Sequence, residues 1–257
     1  MKYLITGAGG FIGSHVVELL LNAGHEVRAL AHYNSFGSWG HLEGSPAAAH
    51  AKLEVRLGDV TDFSMMRTLV EGCDAVLHLA ALIGIPYSYH APASYVATNV
   101  SGTLNVLEAC RAASVRRVVI TSTSEVYGTA RYTPIDEKHP LQGQSPYSAS
   151  KIAADKLAEA YFCSFDLPVV TLRPFNTFGP RQSARAVIPT VLTQALNGAA
   201  EIRLGHLDPK RDLTFVEDTA RAFLAAAETP GIEGEVIHFG QGQAVSVGEL
   251  AQRCLDA

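Results

Sequence analysis

The chain has 257 residues, 47% of them hydrophobic, which is enough to bury a large core and build one α/β unit with a smaller lobe. Its net charge of −5, with no basic run to track a phosphate backbone, argues against nucleic acid as a partner. Cys73, Cys110, Cys163 and Cys254 lie far apart and the ten histidines form no H-x-x-x-H, so neither a disulfide framework nor a metal is expected. Met1 stands one residue before the first predicted strand and no apolar run reaches membrane-spanning length, so a cytoplasmic location without a membrane partner is expected.

In chain order, Lys2–Thr6 reads as a short apolar strand, followed at once by Gly7-Ala8-Gly9-Gly10-Phe11-Ile12-Gly13. The stretch 14–23 then has helical spacing, with Val16, Val17, Leu19, Leu20 and Leu21 apolar. Strand, glycine turn and helix in that order make a dinucleotide cradle, because backbone N–H groups can approach a pyrophosphate at the helix N-terminus. Gly7, Gly10 and Gly13 give G-x-x-G-x-x-G, not the common G-x-G-x-x-G. Further strands are predicted at 26–31, 53–56, 75–79, 117–121 and 169–173, and helices at 12–23, 62–70, 92–113 and 147–165. That alternation predicts a parallel sheet with helices on both faces. Two stretches, 32–50 and 132–145, read as flexible, and the second is expected to act as a lid. After Arg173 the alternation becomes irregular, as a substrate lobe interleaved with the last strands would make it.

Tyr147 and Lys151 are spaced Y-x-x-x-K on the last predicted helix, where residues four apart share a face. The ammonium is expected to lie near the phenol and favour its ionised form. Such a tyrosine can take a proton from an alcohol while a nicotinamide takes the hydride.

These residues, together with Gly58-Asp59-Val60, His78-Leu79-Ala80-Ala81, 99–103, 122–128, Arg173-Pro174-Phe175-Asn176 and 211–218, resemble the extended short-chain dehydrogenase/reductase superfamily. Within it, the chain is similar to the NAD-dependent nucleotide-sugar epimerase/dehydratase family. The resemblance implies a Rossmann-like doubly wound parallel sheet with a small C-terminal substrate lobe. It divides the chain into a dinucleotide-binding domain, 1–172 with 214–240 returning to it, and a lobe formed by 173–213 and 241–257. Family members extend further, so that lobe is expected to be truncated. The resemblance also implies that Gly7, Gly10, Phe11, Ile12 and Gly13 hold the pyrophosphate, that Asp59 and Val60 meet the adenine, and that Ala80 and Ala81 line the cofactor trough. Thr123 would hydrogen-bond the sugar hydroxyl, Tyr147 would be its base, and Lys151 would bind the nicotinamide ribose.

Glu125, in Ser122-Thr123-Ser124-Glu125-Val126-Tyr127-Gly128, separates two reactions. A C4-epimerase needs only the hydroxyl, phenol and ammonium. A 4,6-dehydratase also needs a group to remove the C5 proton and protonate the departing C6 hydroxyl. Thr-Ser-Glu resembles the GDP-mannose 4,6-dehydratases, whereas dTDP-glucose 4,6-dehydratases usually carry Asp-Glu, so Ser124 stands where that branch has an acid. The segments around Tyr33 and 83–89 resemble legionaminic-acid-type dehydratases, which implies that Ser88, Tyr89, Ser124 and Asn176 face the sugar and Arg211 a diphosphate. The acid that often selects NAD at the end of the second strand is missing at Ala31, and no Lys or Arg follows before Lys52. NAD is favoured and NADP stays open. A nucleotide-sugar 4,6-dehydratase, a C4-epimerase and a non-catalytic dinucleotide-binding module are the readings carried forward. Apolar stripes on the two long helices (Val96, Val100, Leu104, Leu107; Ile152, Leu157, Phe162) suggest a homodimer.

Overall fold

The computed structural model describes residues 1–256. Its main sheet is built from β1 (Lys2–Thr6), β2 (Glu26–His32), β3 (Leu53–Gly58), β4 (Ala75–His78), β5 (Arg117–Thr121) and β6 (Val169–Pro174). A seventh strand from the C-terminal third, β9 (Val236–Phe239), pairs with β6, and the order is β3-β2-β1-β4-β5-β6-β9, parallel throughout. The smaller sheet joins β7 (Asn176–Phe178), β8 (Lys210–Phe215) and β10 (Ala244–Ser246), with β7 parallel and β10 antiparallel to β8.

Both faces of the main sheet are covered at its centre, which is why β1, β4 and β5 read as nearly unbroken apolar runs. Tyr3 and Ile5 point to one side, where α1 (Phe11–Asn22) and α8 (Val216–Glu228) contribute Val16, Val17, Leu20 and Phe223. Leu4 points to the other, against Met66 and Leu69 of α2 (Phe63–Val70), Leu107 of α5 (Gly102–Ala112) and Tyr161 of α6 (Pro146–Phe165). Strand order reverses between β1 and β4, so the crevice at their carboxyl ends is the topological switch point where this architecture takes ligands.

The single helix expected over 92–113 is interrupted. A short α4 (Pro92–Tyr95) runs into a π-helical turn, Val96–Ser101, before α5 begins. The extra residue in that turn accompanies the burial of Asn99, whose amide bonds both Leu82 N (2.8 Å) and Leu82 O (2.9 Å). Gly102 follows because the helix start lies against Val60, whose Cγ2 would be 2.7 Å from an added Cβ. An unanticipated helix, α3 (Ile85–His90), fills the segment before it. In the lobe, α7 (Val187–Leu196) packs against α9 (Val247–Asp256). The proposed dimer stripe is split by the fold: Leu107 belongs to the core, while Val96 and Leu104 face outward.

Candidate active site

The cradle forms directly after β1. Gly7 adopts φ +69°, and a Cβ there would lie 2.7 Å from Ala80 N; one on Gly13 would lie 2.2 Å from Gly7 O. These two glycines therefore let β1, α1 and the end of β4 approach one another closely. Gly10 has a different job. It is exposed, an added Cβ would meet only Gly7 O at 3.2 Å, and it begins α1, whose first-turn amides at Phe11, Ile12 and Gly13 lack intrahelical acceptors. An open glycine at a helix N-terminus fits a dinucleotide pyrophosphate. Ala80, which packs against Gly7, and Ala81 are both half-buried, while Val60 is buried beneath Gly102.

Asp59 lies beyond β3 and accepts from Thr61 N (2.9 Å) and Thr61 Oγ1 (2.8 Å) through one oxygen. Its other oxygen is 3.6 Å from His32 Nδ1 at the end of β2. The loop after β2 is closed by Asn34, whose Oδ1 accepts from Phe36 N and Ser38 N, both at 3.1 Å. This loop folds back on the cradle, where His41 N donates to Gly9 O (3.0 Å).

Helix α6 opens on a capping box, with Ser145 Oγ accepting from Ser148 N (3.1 Å), Ser148 Oγ accepting from Ser145 N (3.0 Å), and Pro146 at the first helical position. That start places Tyr147 and Lys151 on the buried face, 7% and 4% exposed. Across from them, β5 ends and Thr123 caps a 3₁₀ turn, Ser124–Tyr127, by accepting from Glu125 N (3.2 Å). The Thr123 hydroxyl also faces the Tyr147 phenol closely enough to draw its pKa down, while the Glu125 charge acts in the opposite sense. Thr123, Glu125, Tyr147 and Lys151 thus converge on one place.

The expected electrostatics do not hold in their simple form. Burial dominates at Tyr147 and pushes the phenol up to about 12. Burial likewise pulls Lys151 below the usual lysine range, against the nearby Asp155 charge. The ammonium donates to the Thr121 carbonyl, so in this geometry it serves the end of β5 and not the phenol.

The residues assigned to the sugar side are spread out. Ser124 is on the turn that Thr123 caps, Asn176 is half-buried in β7, and Tyr89 and Arg211 are exposed, with Arg211 Nη1 donating to Lys210 O (2.9 Å). Ser88 is fully buried and its hydroxyl donates to Ile85 O (2.7 Å), which turns it into the body of α3. Four contributors were missed. Tyr95 sets its ring edge-on to Tyr147 at 6.2 Å and donates to Gly84 O (2.6 Å). Asn99 holds Ser150 Oγ (2.9 Å) on α6. His78 bridges Thr6 Oγ1 (2.7 Å) and Thr103 Oγ1 (3.1 Å) under the trough. Arg181 clamps the lobe to α1 through Ser14 Oγ (3.1 Å) and Glu18 Oε1 (2.7 Å). Only the paired partners, not spacing within one segment, would have identified them.

With that geometry in place, the comparisons with known proteins agree on its class. The chain belongs to the GDP-mannose 4,6 dehydratase family, whose model matches residues 4–256. It is 35% identical over 262 residues to a dTDP-glucose 4,6-dehydratase of Actinoplanes sp., covering 100% of this chain and 82% of that protein. It is also 35% identical over 269 residues to a UDP-glucose 4-epimerase of Streptomyces lividans, covering 98% of this chain and 79% of the relative. The double mutant of DesIV, a dTDP-glucose 4,6-dehydratase from Streptomyces venezuelae crystallised with NAD, superposes with a TM-score of 0.91 at 34% identity, covering 100% of this chain and 80% of that one. Dehydratases and epimerases of nucleotide sugars therefore both stand among its relatives.

Proposed function

We propose that the chain is a nucleotide-sugar 4,6-dehydratase working with NAD. The observation that carries this reading is Glu125, a carboxylate on the same turn as Thr123 whose charge reaches the Tyr147 phenol. Gly7, Gly10, Phe11, Ile12 and Gly13 hold the pyrophosphate, Asp59 and Val60 lie toward the adenine, Ala80 and Ala81 line the trough, and Lys151 meets the nicotinamide ribose. When bound, the nicotinamide accepts and later returns the hydride. Tyr147 takes the proton of the C4 hydroxyl, steadied by a hydrogen bond with Thr123. Oxidation at C4 acidifies the C5 proton, which Glu125 removes before protonating the departing C6 oxygen; with the hydride returned to C6 and the Tyr147 proton delivered to C5, one water leaves and no net oxidant is needed. Ser124, Tyr89, Asn176 and Arg211 face the hexose and the diphosphate. The outward Val96 and Leu104, with Phe165 half exposed on α6, form the interface of a homodimer.

A C4-epimerase is the second reading, supported by the epimerase relatives and by Ser124, which leaves one acid on the turn instead of two. Glu125→Gln separates them. Incubated with GDP-, UDP- and dTDP-sugars and read by mass, a dehydratase loses its 4-keto-6-deoxy product on this substitution. An epimerase keeps turning over. Calorimetry with NAD and NADP in parallel decides the dinucleotide.

A further inference from the structure

Two side chains that enter none of the steps above sit between the two halves of the catalytic set. Asp155 lies four residues beyond Lys151 on α6, so Tyr147, Lys151 and Asp155 form one buried stripe. Arg173 is on β6. Both are 4% exposed and pair with each other, and the Asp155 charge also acts on Lys151 one turn back on the helix.

Their bonds are specific. Asp155 Oδ2 accepts from Arg173 Nη2 (2.8 Å), from Arg173 Nε (3.1 Å) and from Ser122 Oγ (2.7 Å). Arg173 Nη1 donates to the Tyr127 hydroxyl (2.6 Å), and its guanidinium carbon lies 5.2 Å from the centre of the Tyr127 ring. With its oxygen accepting from arginine, the Tyr127 hydroxyl gives its own proton to His238 Nε2 (2.5 Å) on β9. His238 N in turn donates to Glu137 Oε1 (3.0 Å) in the 132–145 loop. Ser122 and Tyr127 are the residues just before and at the end of the turn that carries Thr123 and Glu125. One guanidinium–carboxylate pair therefore grips that turn at both ends and is itself rooted in α6.

We propose that Arg173 and Asp155 are positioning residues that fix the distance between the Thr123–Glu125 turn and the Tyr147–Lys151 face of α6. The inference rests on reading those four residues as the catalytic set. A stabilising role alone is a poor account of the pair, because a buried ion pair is often matched or exceeded in stability by apolar side chains of similar size. A geometric role explains why the bonds end on the two flanks of a single turn.

The test uses Tyr127→Phe, which removes one hydroxyl, and Arg173→Met/Asp155→Leu, which removes both charges together so that neither is stranded. Turnover is followed with dTDP-glucose, UDP-glucose and GDP-mannose, NAD affinity by fluorescence, and amide hydrogen exchange by mass spectrometry. Both variants should melt near the wild type and keep KM and NAD affinity, while kcat falls by about tenfold to a hundredfold, the scale of a small misplacement of reacting groups. Exchange should quicken in 123–128 and 147–155 together. Wild-type turnover in the double variant, or wild-type exchange in either segment, overturns the proposal. Tyr147→Phe runs alongside. If it remains fully active, the catalytic assignment is wrong and the positioning role falls with it. If it is inactive while Tyr127→Phe is unimpaired, only the positioning role is lost.

Discussion

Replacing His78 by Leu converts a buried hydrogen-bonded ring into an apolar side chain and exposes how the trough is held. Thr103 Oγ1 donates to Asn99 O (2.6 Å), so toward His78 it must accept, which puts the ring proton on Nε2. Thr6 Oγ1 receives Ala80 N (3.1 Å) and gives its proton to the bare Nδ1. The imidazole is therefore neutral with both nitrogens occupied, and burial pulls its pKa from 6.5 down to about 3. Losing both bonds and leaving two buried hydroxyls short of a partner costs about 2–4 kcal/mol at neutral pH, at roughly 1–2 per group. The acid response is the sharper signature. A histidine whose folded pKa is depressed takes up a proton only on unfolding, so its contribution is intact above about pH 6.5 and declines as the pH drops toward 3. Between pH 7.5 and 5.0 this group alone removes about 2 kcal/mol, from roughly 1.4 kcal/mol for each pH unit below the unfolded value. Urea unfolding at those two pH values measures both effects. The wild type should lose about 2 kcal/mol more than His78→Leu over that interval, so that the two stabilities converge in acid. Equal losses in the two proteins would refute the neutral, doubly bonded ring.

Two other substitutions test the cradle and the buried ammonium. Gly13→Ala sets a Cβ against Gly7 O at 2.2 Å, a backbone atom that cannot swing aside. Overpacking of about 1–3 kcal/mol should appear as weaker NAD binding by tenfold or more in calorimetry, and an unchanged Kd with an unchanged melting temperature would contradict the close-packed turn. Lys151→Met should abolish turnover yet leave the protein at least as stable at pH 7, because burial disfavours the lysine's charged form more than Asp155 supports it. That gain should shrink as the pH rises from the lowered folded value up to the ordinary lysine value, the window in which the folded chain has lost its proton and the unfolded chain still holds one. A marked fall in melting temperature at pH 7 would mean that the bond to the Thr121 carbonyl outweighs desolvation.

The central sheet was readable because its signals are local. β1 and β5 match their expected bounds, and the Gly7–Gly13 turn is defined by spacing along seven consecutive residues. Convergence of Thr123, Glu125, Tyr147 and Lys151 was also foreseeable, since one pair follows from the period of a helix and the other from the end of a neighbouring strand. The π-turn at Val96–Ser101 was not legible, because its partner groups at Leu82 and Ser150 are remote in sequence. Nor was the burial of Ser88, whose hydroxyl is satisfied inside a helix that the apolar pattern did not announce. The sense of the Tyr147 and Lys151 shifts belongs to this second group. An i, i+4 spacing says that the two share a face, but it says nothing of the dielectric that face meets. Here α6 turns both groups inward, Tyr147 against Tyr95 and Lys151 against the end of β5, where losing water outweighs any benefit to either charged form. Proton transfer in the proposed reaction therefore depends on what restores polarity around the phenol. The group placed to do that is Thr123, on the turn that Arg173 and Asp155 join to α6.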